Sequence, residues 1–160
     1  MCGIVGLFDI QGKDQEAMRS KALQMAAKIR HRGPDWSGIY GDDFAVLAHE
    51  RLSIVDVEHG AQPLYDTKTK RVLAVNGEIY DHKQLRTLLK KPHEWQTNSD
   101  CEVLLYLYDE FGTDFLPKVD GIFAFCLYNP ATKEYFIARD HIGIVPLYIG
   151  WDKEGVTYVA

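Results

Sequence analysis

Cys2, directly behind the initiator methionine, is the residue best placed in this sequence for covalent chemistry. Removal of Met1 exposes the α-amino group of Cys2, whose reference pKa of about 7.7 to 8.0 suits it to take a proton from its own thiol. A thiol of pKa about 8.5 is already partly ionised at neutral pH and strongly nucleophilic, so one residue would supply both sulphur and base. Gly3 leaves room for a substrate over the sulphur. Read by itself, Cys2 is equally an inert cysteine buried at a strand start, as free cysteines commonly are. Further along, Asn76-Gly77 offers a side-chain NH2 and an unobstructed backbone N–H, the donors that a developing oxyanion needs. The dipeptide alone also reads as a tight hairpin turn. Cys101 and Cys126 fall in a helical turn and an apolar strand, with no CxxC spacing, and the six histidines lack ligand spacing, so neither a disulphide framework nor a metal site is expected.

These residues have to be positioned by strands and helices. An apolar run over 4–8 predicts a buried strand that would anchor Cys2. Met18, Ala22, Met25 and Ile29 form one stripe of an amphipathic helix over 14–31, ended by Gly33-Pro34. Short strands are predicted around 39–40, 44–49 and 52–55, and another over 71–75 that Asn76-Gly77 would turn. A short helix follows over 82–91. Ser99 and Glu102 have capping-box spacing ahead of a second long helix that Gly112 ends. Strand patterns recur over 122–128, 135–138, 145–149 and 156–159. Short connections and few helices point to antiparallel sheets covered by helices.

The bulk properties set the frame. A chain of 160 residues fits one domain with a substantial core, and 46% hydrophobic with 26% charged residues is the profile of a soluble globular fold. With 18 basic against 23 acidic residues the net charge is −5, which offers no basic field for a nucleic acid. No signal peptide and no apolar run of about 20 residues is present, so neither export nor a membrane span is expected and a reducing cytoplasm suits the free cysteines.

Met1-Cys2-Gly3-Ile4-Val5-Gly6 resembles the start of the class II glutamine amidotransferases, members of the N-terminal-nucleophile hydrolases. The blocks His31-Arg32-Gly33-Pro34-Asp35, Ala48 through Asp56, Gln62-Pro63-Leu64, Val75 through Tyr80, Ser99 through Glu102 and Arg139-Asp140 with Gly143 and Pro146-Leu147-Tyr148 are similar to glutamine-hydrolysing asparagine synthetase, in order and along essentially the whole chain. The resemblance implies an α+β fold, a four-layer αββα sandwich of two antiparallel sheets between helix layers. It implies hydrolysis of glutamine through Cys2, with Asn76 and Gly77 at the oxyanion and Arg51 on the substrate carboxylate. Asp100, assisted by Glu78, would take the ammonium, and the backbone around Leu52 and Ile54 would line the pocket. Outside the resemblance, Asp100 is a carboxylate favoured in a first helical turn and Arg51 an ordinary surface arginine.

The family's ammonia-using synthetase domain is expected to follow this segment, whose tail breaks off in a strand pattern. Residues 1–160 contain no pyrophosphate-binding loop, so no cofactor is expected here, and ATP and Mg2+ belong to the synthetase domain. The partners implied are glutamine and that domain, with a homodimer compatible. Another class II amidotransferase and a non-catalytic glutamine-sensing module stand as alternatives.

Overall fold

The computed structural model describes residues 2–54, 56 and 58–160. Strand β1 (Gly3–Phe8) is buried from end to end. Helix α1 (Gln15–Lys28) starts on Asp14, whose carboxylate accepts from the N–H groups of Glu16 and Ala17, donors that a helix start otherwise leaves orphaned. A 3-10 turn over Arg30–Arg32 leads to β2 (Trp36–Gly41) and β3 (Ala45–Arg51). After a long loop come β4 (Leu64–Tyr65), β5 (Val72–Ile79), α2 (His82–Leu88) and α3 (Val103–Phe111). The chain closes with β6 (Gly121–Asn129), β7 (Glu134–Arg139), β8 (Ile149–Trp151) and β9 (Thr157–Val159).

Among the described residues the strands form two antiparallel sheets, in the orders β2-β3-β1-β9-β8 and β4-β5-β6-β7. The period-two alternation of each strand sorts its side chains between layers. On β1 and β3, Val5, Leu7, Val46 and Ala48 meet Ala22 and Ala26 of α1. Their alternates Ile4, Phe8, Ala45 and Leu47 face the second sheet and pack on Ala74, Cys126 and Tyr128. On the far side, Leu73, Val75 and Phe125 meet Leu85 of α2 and Leu104 and Leu107 of α3. The result is the expected four-layer αββα sandwich.

Several local expectations change. Asn76-Gly77 is not a turn: β5 runs straight through it, with Asn76 opposite Ala124 and Gly77 opposite Phe123. Eight consecutive pairings with β6 override the local preference of two residues. Gly77 is needed there for a different reason, since a Cβ on it would lie 2.2 Å from the Ile122 carbonyl oxygen. Residues 52–54 are not a strand, because the chain leaves the sheet after Arg51, and Ile54 is 73% exposed; Val55 lies outside the described residues. The Ser99–Glu102 capping box does not form. Ser99 accepts from Cys101 N–H, while the Glu102 carboxylate reaches back to the N–H groups of Gln96 and Thr97 and to the Tyr106 hydroxyl. The two-residue β4 carries too little pattern to be read from sequence, and of 145–149 only Ile149 enters a strand.

Phe125 sits in the middle of β6, fully buried against Phe115, Phe123 and Phe136. Phe125→Ala is expected to lower stability by about 3–5 kcal/mol, as a shift in the urea unfolding midpoint. An unchanged midpoint would show that this core is not as packed.

Candidate active site at the head of the first sheet

The pairing of β1 with β3 sets Gly3 opposite Glu50, so the register brings Cys2 opposite Arg51. Both continue the alternation that sends Ile4, Ala45 and Leu47 between the sheets. The sulphur of Cys2 is held by the backbone of Leu52, whose N–H donates to Sγ at 3.4 Å and whose carbonyl accepts from the thiol at 3.7 Å. Arg32 Nε donates to the Cys2 carbonyl at 3.0 Å, tying the cysteine to the 3-10 turn. Asp35 accepts from Ser53 N–H at 2.8 Å and so fixes the chain beyond Leu52. Gly33 permits this approach, because a Cβ there would be 2.1 Å from the Glu50 carbonyl oxygen.

Arg51 is buried, and its Nη2 donates to the Asp56 carbonyl at 2.7 Å. The Asp56 carboxylate in turn accepts from Asn98 N–H at 2.8 Å, which joins the loop after β3 to the segment before Asp100. Asp100 is buried within a 3-10 turn over Asp100–Glu102, and its Oδ2 accepts from Ile79 N–H at 2.7 Å. These contacts converge on one cleft of about 640 Å3, counted out to its mouth, lined by Cys2, Arg51, Leu52, Ile54, Gly77, Glu78 and Asp100 together with Gln62 and Cys101.

Asn76 is placed differently. Its side chain is buried on the inter-sheet face, Oδ1 has no partner, and it lines a second, mostly apolar cleft with Gly3, Ile4 and Tyr148. Cys2-Gly3 and Asn76-Gly77 are therefore the wall that the two clefts share. Gly77 turns its N–H the other way in the plane of the sheet. Phe123, opposite it, uses its own N–H and carbonyl on Asp140 at the β7 side, so Gly77 is not a hydrogen-bonded partner of β6 and its N–H points past the end of β4 toward the first cleft.

Sequence reasoning had no role for Gln62, Cys101 or His49. Gln62 Oε1 accepts from Val75 N–H at 2.8 Å, and Cys101 Sγ lies 3.8 Å from the Gly77 carbonyl. His49, fully buried between Leu47 and Arg51 in the alternation of β3, meets the Val75 carbonyl through Nε2 at 2.9 Å. A usable signal was present: His49 and Arg51 continue the face of Ala45 and Leu47, and polar residues on a buried face need partners. Burial brings the His49 imidazole down to about 4, with the Arg51 charge adding to the effect and the Val75 bond opposing it. Burial pushes the Cys126 thiol up to about 12, and burial followed by the neighbouring Asp100 carboxylate raises Cys101 well above its ordinary value. No cluster of metal-ligating side chains occurs among the described residues.

Two antiparallel sheets are stacked between helices, and Cys2 stands at the head of the central strand β1 of the first sheet, on an interior cleft. A family model described as a glutamine amidotransferase domain matches residues 1–160, and the chain belongs to that family. It is 56% identical over 160 residues to asparagine synthetase B [glutamine-hydrolyzing] of Escherichia coli, covering 100% of this chain and 29% of that protein. Over 157 residues it is 48% identical to a probable asparagine synthetase [glutamine-hydrolyzing] of Dictyostelium discoideum, covering 97% and 28%. The chain thus spans less than a third of the length of these relatives. A solved structure of glutamine phosphoribosylpyrophosphate amidotransferase from B. subtilis, complexed with ADP and GMP, aligns with a TM-score of 0.73 over 99% of this chain and 41% of that one. At 20% identity this likeness concerns the fold alone.

Two outcomes follow from the burial of these groups. Iodoacetamide at pH 8 should label the partly exposed Cys2 first, leaving Cys101 and Cys126 until denaturant is added, since a thiol at about 12 is ionised only about one part in ten thousand there. Peptide mass mapping reads the order, and early labelling of Cys126 would contradict it. For His49 the folded value of about 4 lies below the ordinary 6.5, so the unfolded chain binds a proton that the folded chain refuses. Its contribution to stability is complete above about pH 6.5 and is lost as pH falls toward 4. The parent should therefore lose more unfolding free energy than His49→Gln between pH 7 and 4.5, and equal slopes would argue against a neutral, buried imidazole.

Proposed function

We propose that this domain hydrolyses glutamine to glutamate and ammonia through a γ-glutamyl thioester on Cys2. The observation that carries the reading is the meeting of Cys2, Arg51, Glu78, Asp100 and the edge-facing N–H of Gly77 on one cleft. Glutamine presents a carboxylate, an ammonium and a side-chain amide, and these groups find complements there. Arg51 is shaped for the carboxylate, Asp100 with Glu78 offers negative charge for the ammonium, and the captured ends orient the amide toward the sulphur. Leu52 and Ile54 line the passage between them.

With Met1 removed, the α-amino group of Cys2 accepts the thiol proton as sulphur attacks the side-chain amide carbon. The carbonyl π electrons move onto oxygen, and that charge is met by Gly77 N–H and the amide of Asn76 at the wall between the clefts. The carbon–nitrogen bond then breaks, the nitrogen leaves as ammonia with the proton held by the amine, and the thioester remains. Water attacks the thioester carbon while the same amine takes its proton, which releases glutamate and restores the thiol.

The names of the relatives, and the greater length of those proteins, support delivery of the ammonia to a synthetase domain, and we propose that this domain amidates aspartate at the expense of ATP. ATP and Mg2+ are assigned to that domain, the cytoplasm is the setting, and a homodimer is compatible.

Cys2→Ala should reduce ammonia release by roughly a thousandfold or more with an unchanged far-UV circular dichroism spectrum, and Arg51→Ala should chiefly raise KM for glutamine. Turnover that survives in Cys2→Ala would falsify the nucleophile assignment. Calorimetric binding of glutamine to the parent without any ammonia release would favour a sensing module instead.

A further inference from the structure

The edge of β5 beyond β4 is held by side chains. Residues 73, 75, 77 and 79 direct their N–H and carbonyl groups to that edge, since Leu73 pairs with Leu64 there and Ile79 N–H reaches Asp100. The β4–β5 register, continued by two residues, would set Gln62 main chain opposite Val75. It does not do so: the Gln62 carbonyl lies against Gly38 of the other sheet, 1.8 Å from where a Cβ on Gly38 would be. The Gln62 side chain takes the Val75 N–H instead, and the His49 ring takes the Val75 carbonyl. Both backbone groups of the residue immediately before Asn76-Gly77 are thus clamped, one from the loop before β4 and one from the neighbouring sheet.

We propose that His49 and Gln62 are positioning residues, which fix the Val75 peptide and thereby aim the Asn76 amide and the Gly77 N–H at the oxyanion. The inference rests on the glutaminase reading above. His49 meets a carbonyl, so Nε2 carries the proton and donates, and its Nδ1 is left buried without a partner. Packing alone would be served better by an apolar side chain, because a buried ring nitrogen without a partner costs stability. The Val75 carbonyl is the return for that cost. A strand partner would have satisfied the same groups, but it would also have covered Gly77 N–H, two residues on. Side-chain clamps satisfy Val75 and leave the next edge position open.

The test separates a clamp from general packing by pairing each disruptive variant with one that keeps the hydrogen bond. His49→Phe removes the donor, whereas the Nε2 of Gln in His49→Gln occupies a similar place. Gln62→Leu removes the acceptor, whereas Gln62→Glu keeps an oxygen. In the intact protein, His49→Phe and Gln62→Leu should lower kcat for glutamine hydrolysis by roughly ten- to a hundredfold with KM nearly unchanged, because a misaimed donor loses part of what a deleted one loses. His49→Gln and Gln62→Glu should recover most of kcat, and amide exchange at Val75 should accelerate in Gln62→Leu but not in Gln62→Glu. Should His49→Phe not fold, the Gln62 pair decides alone. Unaltered kcat in the disruptive variants, losses confined to KM, or equal losses in each conservative partner would overturn the positioning role. Survival of ammonia release in Cys2→Ala would instead overturn the reading beneath it, so the two failures are distinguishable.

Discussion

The antiparallel register of β1 and β3 is the constraint from which the site follows. It sets Gly3 opposite Glu50 and so faces Cys2 toward Arg51, and the alternation of both strands turns those two side chains into the space between the sheets. A slip of one residue would send every side chain of β1 to the opposite layer, burying Ile4 under α1 and moving Cys2 out of the interior. Burial on both faces forbids the slip. Val5 and Leu7 are needed on the α1 side, and Ile4 and Phe8 are needed on the other.

Around that pairing the remaining elements act at the backbone more than at the side chain. Leu52 main chain holds the sulphur of Cys2, Arg32 holds its carbonyl, and Asp35 holds Ser53. Asp56 and Asp100 tie two loops and the end of β5 together through N–H groups of Asn98 and Ile79. Gly33, Gly38 and Gly77 are places where another backbone passes too close for a Cβ. Such contacts keep a site rigid because each replaces water on a main-chain group that has nowhere else to bond.

The layers were legible in the sequence because long amphipathic runs carry strong signals: the stripe of α1, the apolar run of β1 and the strands flanking Asn129-Pro130 all appear where their patterns put them. What was not legible was set by partners distant in the chain. Asn76-Gly77 has the local chemistry of a turn, yet its pairing with Ala124 and Phe123 keeps it in a strand. Glu102 has capping-box spacing, yet Gln96 and Thr97 N–H groups capture it. The cleft residues Cys2, Arg51 and Asp100 were named from motifs, whereas Gln62 and His49 acquire roles only once two sheets bring Val75 between them.

The three tryptophans are distributed unequally with respect to the site. Trp36 and Trp151 are 56% and 67% exposed, whereas Trp95 is partly buried, stands edge-on to Tyr106 and lies 3.9 Å beneath the guanidinium of Arg86. Arg86 also donates to the Ser99 carbonyl, one residue from Asp100. The most shielded of the three indoles is therefore the one coupled through a single cation to the turn that carries Asp100, which places an optical probe beside that turn.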